Sequence, residues 1–152
     1  MVQPLAGVLE ACLYADDLDA AHGFYAGALG LEMIARDSDR HLFFRAGAST
    51  MFLVFNAART SQSPDNDTAG AIAAPPHGAT GPGHVAFTVA DAELDDWRSH
   101  LAAHGISIER EISWPRGGRS LYVRDPAGNS IELASPRLWG LGEPRGALPS
   151  AG

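Results

Sequence analysis

Gly81-Pro82-Gly83-His84-Val85-Ala86-Phe87-Thr88-Val89-Ala90-Asp91 is the stretch on which the reading of the whole chain turns. Its side chains alternate, with Val85, Phe87 and Val89 on one face and His84, Ala86 and Thr88 on the other, the period of a strand. The imidazole shares its face with small residues, which leaves room in front of it. Asp91 fits the N-cap of a following helix, because its carboxylate can accept from free backbone N–H groups. That helix is expected over Asp91 to His104, with Leu94, Trp97 and Leu101 inward and Gly105 as its stop.

The same pattern occurs earlier in the chain. From Gly7 to Tyr14, Leu9, Ala11 and Leu13 alternate with Glu10, Cys12 and Tyr14, and a helix follows from Asp17 with Leu18, Ala21, Tyr25 and Leu29 at helical spacing before Gly30. Three short strands come next, at Leu31 to Arg36, His41 to Ala46 and Thr50 to Phe55. In the second half the counterparts are Ile106 to Ile112, Arg119 to Arg124 and Asn129 to Ala134. Residues 57–81, rich in Ser, Asp, Pro, Gly and Ala, read as a linker. The tail from Pro136 lies outside the repeat, and Trp139 is expected to pack it onto the body of the protein or onto a partner subunit.

Superposing Asp17 on Asp91 shifts the chain by 74 residues and lays Glu10 over His84. Allowing one extra residue in the second copy lays Phe52 over Glu132. Ser130, Glu132 and Ala134 share a strand face, opposite Ile131 and Leu133. The expected fold is α+β: two βαβββ modules forming an open, curved eight-stranded barrel with helices outside. Residues 1–152 are then a single domain, with module one at about 7–56, a linker at 57–82, module two at 83–135 and the tail at 136–152. Glu10, His84 and Glu132 point into one cavity, where unpaired charge is costly and therefore calls for a ligand.

With 152 residues and 45% hydrophobic composition, one core is the expectation. The net charge of −7 comes from 18 acidic against 11 basic residues with no basic stripe, which excludes nucleic acid as a partner. Cys12 is the only cysteine, so an intramolecular disulfide and a thiolate zinc cluster are both excluded. The absence of a leader pattern or a long apolar span points to a cytoplasmic protein without a membrane partner.

Three segments in order carry a resemblance. They are Asp17-Leu18 with Gly23-Phe24-Tyr25-Ala26-Gly27-Ala28-Leu29-Gly30-Leu31, then Gly83-His84-Val85-Ala86-Phe87, then Asp125-Pro126-Ala127-Gly128-Asn129-Ser130-Ile131-Glu132-Leu133. Together they resemble the vicinal oxygen chelate superfamily of glyoxalases, extradiol dioxygenases and fosfomycin and bleomycin resistance proteins, over roughly Gly7 to Pro136. The resemblance implies a divalent metal ion (Fe, Mn, Ni, Co or Zn) held by Glu10, His84 and Glu132. His84 and Glu132 match the family's His and Glu, Glu10 stands where His or Gln is usual, and Phe52 stands where four-ligand members place a Glu.

Tyr122 lies where the dioxygenases carry a tyrosine near the substrate. The implied function is a metal-dependent lyase, isomerase or dioxygenase acting on a small molecule that chelates through vicinal oxygens, with Glu132 and Tyr122 as catalytic residues. Glu132 or Glu10 would be the base and Tyr122 the hydrogen-bond donor. The alternative is a metal-free protein that binds and sequesters a drug-like molecule. Either would work as a homodimer, as small members of the superfamily commonly do.

Other chemistry-bearing residues receive plainer readings. His100 and His104 are surface residues, His77 belongs to a solvated loop, and Cys12 lines the cavity as a small side chain. Trp114, Arg116, Arg119 and Arg124 cluster before Tyr122, where the arginines either bind an anionic substrate group or pair with surface acids.

Overall fold

The computed structural model describes residues 2–62 and 74–144. The chain divides into two compact units, residues 1–82 and 83–152. Residues 63–73 of the expected linker, and the tail beyond residue 144, lie outside the described residues. Each unit is a βαβββ module containing one four-stranded mixed sheet, so the α+β class and the duplication stand.

In the first unit β1 (Glu10–Tyr14) is followed by helix α1 (Leu18–His22), which continues as six residues of π-helix, Gly23–Ala28. Asp17 caps it as expected, its carboxylate accepting from the Ala20 N–H at 2.9 Å. Gly30, at φ 69°, ends it in the left-handed conformation that glycine adopts without strain. Strands β2 (Glu32–Asp37), β3 (His41–Arg45) and β4 (Met51–Phe55) follow, in the sheet order β1-β4-β3-β2. A register shift between Met33 and Ala35 bulges the edge strand β2. A one-turn helix, α2 (Ala57–Thr60), occupies the start of the expected linker.

The second unit repeats the plan. β5 (His84–Thr88) leads through a 3₁₀ turn, Asp91–Glu93, into α3 (Leu94–Ala103), then β6 (Arg110–Ser113), β7 (Arg119–Arg124) and β8 (Ser130–Ala134), in the order β5-β8-β7-β6. In both sheets the module's first strand pairs in parallel with its last, and the remaining neighbours are antiparallel.

One face of each sheet is buried under its own helix. In module one Tyr25, with no exposed surface, packs at 4.8 Å from the ring of Phe52 and 5.9 Å from that of Phe44. Leu94, Leu101, Leu121, Val123 and Ile131 are the corresponding buried residues in module two. Burying side chains of this size contributes about 2 kcal/mol each and is what holds helix to sheet.

Two expectations are corrected by the hydrogen-bond registers. Leu53 pairs with Cys12 and Phe43, as Glu132 pairs with Ala86 and Tyr122. Leu53, not Phe52, is therefore the counterpart of Glu132. A one-residue slip moves a strand residue to the opposite face, and Phe52 lies on the helix side, 1% exposed. Asp91 is not an N-cap. Its own N–H is accepted by Glu143 of the tail at 3.2 Å, while Arg119 Nε lies 3.7 Å from its carboxylate and donates through Nη2 to its carbonyl. Its Oδ1 is buried without a hydrogen-bond partner among the described residues.

Candidate functional site

The open face of module two carries the site. His84 begins β5 and Glu132 sits at the centre of β8, and their Nε2 and Oε2 atoms are 3.3 Å apart. The turn between β7 and β8 brings them together. Asp125 Oδ1 accepts from the backbone N–H groups of Ala127 and Asn129, and Oδ2 accepts from the Asn129 side chain. Asn129 Oδ1 in turn accepts from the Gly83 N–H at 2.8 Å, which ties the start of β5 to the start of β8. Gly128, at φ 86°, makes the turn that all of these bonds require. The Asp125–Asn129 segment thus positions His84 and Glu132 through one buried network.

The tautomer of His84 follows from its partner. Nδ1 lies 3.0 Å from the Ser130 carbonyl oxygen, which can only accept, so Nδ1 carries the proton. In the neutral ring Nε2 then presents a lone pair towards a carboxylate oxygen. Two lone pairs at this distance repel unless a proton or a cation lies between them. Two ligand atoms about 2.1 Å from a common metal are separated by about 3.0 to 3.4 Å when adjacent in octahedral or tetrahedral geometry. The pair therefore fits one side of a divalent metal site, with the backbone carbonyl of Ser130 as the outer partner that orients the ring.

Tyr122 lies directly across from Glu132 on β7, and its ring is stacked at 6.2 Å from that of His84. Burial, then hydrogen bonding to Glu132, then the Glu132 charge push its phenol up to about 12. At neutral pH it keeps its proton and serves as a donor. Beside it Ser120, fully buried, accepts from Trp114 Nε1 at 2.8 Å. Glu132 itself is only 6% exposed. His84, Tyr122 and Glu132 line a cavity of about 570 Å³ together with Trp114, Arg116 and the tail residues Leu138, Trp139 and Leu141. The tail thus contributes side chains to the cavity, which no periodicity in its sequence signals.

The open face of module one has the same positions and other chemistry. Glu10, exposed, begins β1 where His84 begins β5, and shares its face with Cys12 and Tyr14. Phe43 takes the place of Tyr122 and Leu53 that of Glu132. Around them are His41, stacked on Phe43 at 4.0 Å, and Phe55, edge-on to Phe43 at 5.7 Å. Burial lowers the pKa of His41. His77 docks onto this cluster, its Nδ1 at 2.7 Å from the Tyr14 hydroxyl and its ring edge-on to Phe55 at 4.6 Å, so it is not a solvated loop residue. Within neither unit, among the described residues, do three His, Cys, Asp or Glu side chains gather closely enough to hold an ion.

The remaining candidates fall as the sequence suggests. His100 on α3 and His104 just beyond its end are exposed, with His104 Nδ1 donating to the His100 carbonyl at 2.9 Å. Arg119 is committed to Asp91, Asp95 and Glu111, and Arg124 to Glu109. No helix among the described residues is long and apolar enough to cross a membrane.

The profile of the Glyoxalase/Bleomycin resistance protein/Dioxygenase superfamily matches residues 7–133. The fold superposes on a lactoylglutathione lyase from Agrobacterium tumefaciens with a TM-score of 0.83 and 41% identity, covering 91% of this chain and 100% of that one. A glyoxalase/dioxygenase from Nostoc punctiforme matches with a TM-score of 0.62 at 23% identity, over 89% of this chain and 95% of that one. A glyoxalase/bleomycin resistance protein/dioxygenase from Nocardioides gives 0.64 at 22%, over 88% and 85%. The last two show likeness of fold alone.

Proposed function

The chain belongs to the glyoxalase/bleomycin resistance protein/dioxygenase superfamily, and we propose that it is a metal-dependent enzyme of the glyoxalase type, acting on a small substrate with two adjacent oxygens. The observation that carries this reading is the convergence of His84 Nε2 and Glu132 Oε2 at 3.3 Å, with the imidazole tautomer set by Ser130. Glu10 is the proposed third ligand, on the strength of its position in module one, where it begins β1 as His84 begins β5. A divalent cation bound there supplies a Lewis acid that polarises the substrate's vicinal oxygens.

The residues divide the remaining work. Glu132, buried and carboxylate-bearing, carries two protons in turn, the C–H proton from the hydroxyl-bearing carbon to the neighbouring carbonyl carbon and the hydroxyl proton to the neighbouring oxygen, so that the first carbon becomes a carbonyl and the second bears the hydroxyl. Tyr122 holds its proton at Oη and donates a hydrogen bond to the developing oxyanion. The lactoylglutathione lyase relative at 41% identity supports a lyase reaction over an oxygenase one.

A second reading, a metal-free sequestering protein, draws support from Leu53 and Phe43, which leave the module-one positions corresponding to Glu132 and Tyr122 without polar groups. Elemental analysis of the purified protein separates the two. An enzyme of the proposed kind carries about one divalent ion per chain, loses it in Glu132→Ala, and loses turnover of lactoylglutathione with chelator until metal is restored. A sequestering protein keeps its ligand affinity through the same treatment. The protein is further proposed to work as a homodimer. The exposed Val8 and Leu9 beside β1 and Met33 and Ile34 on β2 support this, and sedimentation equilibrium tests it.

A further inference from the structure

Helix α3 ends in a pair of imidazoles for which the chemistry just described has no use. His100 lies in its last turn and His104 is its C-cap, four residues on, so the two side chains share one ridge of the helix. Both are exposed, and their ring centroids lie 4.3 Å apart at a tilt of 39°. The bond from His104 Nδ1 to the His100 carbonyl does for this ring what Ser130 does for His84: it places the proton on Nδ1 and leaves a lone pair on Nε2. A neutral His100 ring carries one lone-pair nitrogen of its own. Trp97, one turn earlier, meets that ring edge-on at 5.3 Å and limits its swing.

Two such nitrogens on rings this close suit a single ion, because nitrogens about 2.1 Å from a common metal stand only about 3.0 to 3.4 Å apart. The surroundings favour positive charge. The C-terminal end of α3 carries the partial negative charge of the helix dipole. Asp96, one turn before His100 on the same ridge, is exposed and has no ion pair among the described residues, whereas the adjacent Arg98 is held by Asp95 and Glu111. α3 covers the buried face of its sheet, and His84 and Glu132 stand on the open one, so the two places are separate.

We propose that His100 and His104 form a second metal site, a two-imidazole chelate at the C-terminus of α3 for a borderline divalent cation, Cu²⁺ foremost. Imidazole nitrogen suits the ions at that end of the affinity order, with Cu²⁺ above Ni²⁺ and Zn²⁺. Two protein ligands leave the remaining positions to water or to a small chelating molecule. The ion is accordingly held loosely. It enters from solution and leaves on desalting, so it adds nothing to the one ion per chain proposed above, and the site does not rest on that reading.

The probe is Cu²⁺–iminodiacetate, whose chelator fills three positions and leaves room for two imidazoles. Calorimetric titration of the desalted protein should show a site that His100→Gln and His104→Gln each weaken about a hundredfold, since either change removes the second, intramolecular contact. Ala102→His combined with His104→Gln keeps the number of histidines but sets the rings at i and i+2, which do not face each other, and should weaken binding equally. Glu132→Ala should leave this affinity unchanged. Undiminished affinity in either Gln variant or in the transferred one, with circular dichroism showing α3 intact, overturns the proposal. A site lost in Glu132→Ala but kept in both Gln variants also overturns it and upholds the open-face metal alone. Loss in the Gln variants with retention in Glu132→Ala upholds the α3 site whatever metal the open face holds.

Discussion

Module one and module two have the same strand order, the same helix-covered face and matching registers, yet their open faces have diverged in character. In module two the face presents His84, Tyr122 and Glu132; at the same positions module one presents Glu10, Phe43 and Leu53. The helix-covered faces stayed apolar in both, with Phe44 and Phe52 matched by Val123 and Ile131. The difference teaches that packing constrains one face of each sheet and leaves the other free for chemistry. Substitutions on the two faces must therefore differ in kind.

The largest effect is expected at the register itself. Phe52→Glu places a carboxylate under α1 and should cost more than 4 kcal/mol, enough to unfold the protein. Leu53→Glu, on the open face, should cost about 1 to 3 kcal/mol and leave a folded chain. Urea unfolding of both reads the result, and equal destabilisation would break the comparison. Next in size, Glu132→Ala should lower metal content and turnover about a hundredfold, about 2.7 kcal/mol, while Leu53→Ala at the matching position keeps bound metal at the original stoichiometry. Loss of metal in both would show that the modules share the role equally.

A smaller effect belongs to the aromatic face of module one. His77→Ala removes the bond to Tyr14 and the edge-on contact with Phe55, and should lower stability by about 1 to 2 kcal/mol without changing metal content. Thermal melts beside elemental analysis check it; altered metal content with an unchanged melt would contradict it. The smallest effect is a pH dependence. Burial depresses His41 below its ordinary value of 6.5, so the folded state holds fewer protons than the unfolded chain. The resulting stability is fully present above pH 6.5 and is lost as pH falls through the lower folded value. Because His41 is largely solvent-screened, the change should stay well under about 1.4 kcal/mol per pH unit. His41→Phe should flatten the urea midpoint between pH 7 and pH 5 relative to the parent, and parallel slopes would discount this origin.

Much of this was legible in the sequence because it is local. Alternation located the strands, β7 to the residue, and Asp17 announced a real cap. His84 and Glu132 stood out as polar residues on faces of small ones, and the structure brings them together. Contacts distant in sequence were not legible. The Phe52 alignment slipped by one because turn lengths give no cross-strand register. Asp91 fits a cap for its own helix by sequence, whereas its own N–H is accepted by Glu143, 52 residues away. His77 finds Tyr14 across 63 residues, and nothing in the Pro-rich segment around it signals that meeting.

The parallel ladder between β5 and β8 has a consequence for how the protein comes into being. His84 meets the Ser130 carbonyl 46 residues downstream, so its orientation waits for the final strand of the module. Such distant closure slows the search for the native state, because entropy is lost before any contact rewards it. During synthesis the imidazole is made early and remains without its carboxylate until nearly the whole module has left the ribosome. Chemical competence is therefore acquired late, in one cooperative act of sheet completion.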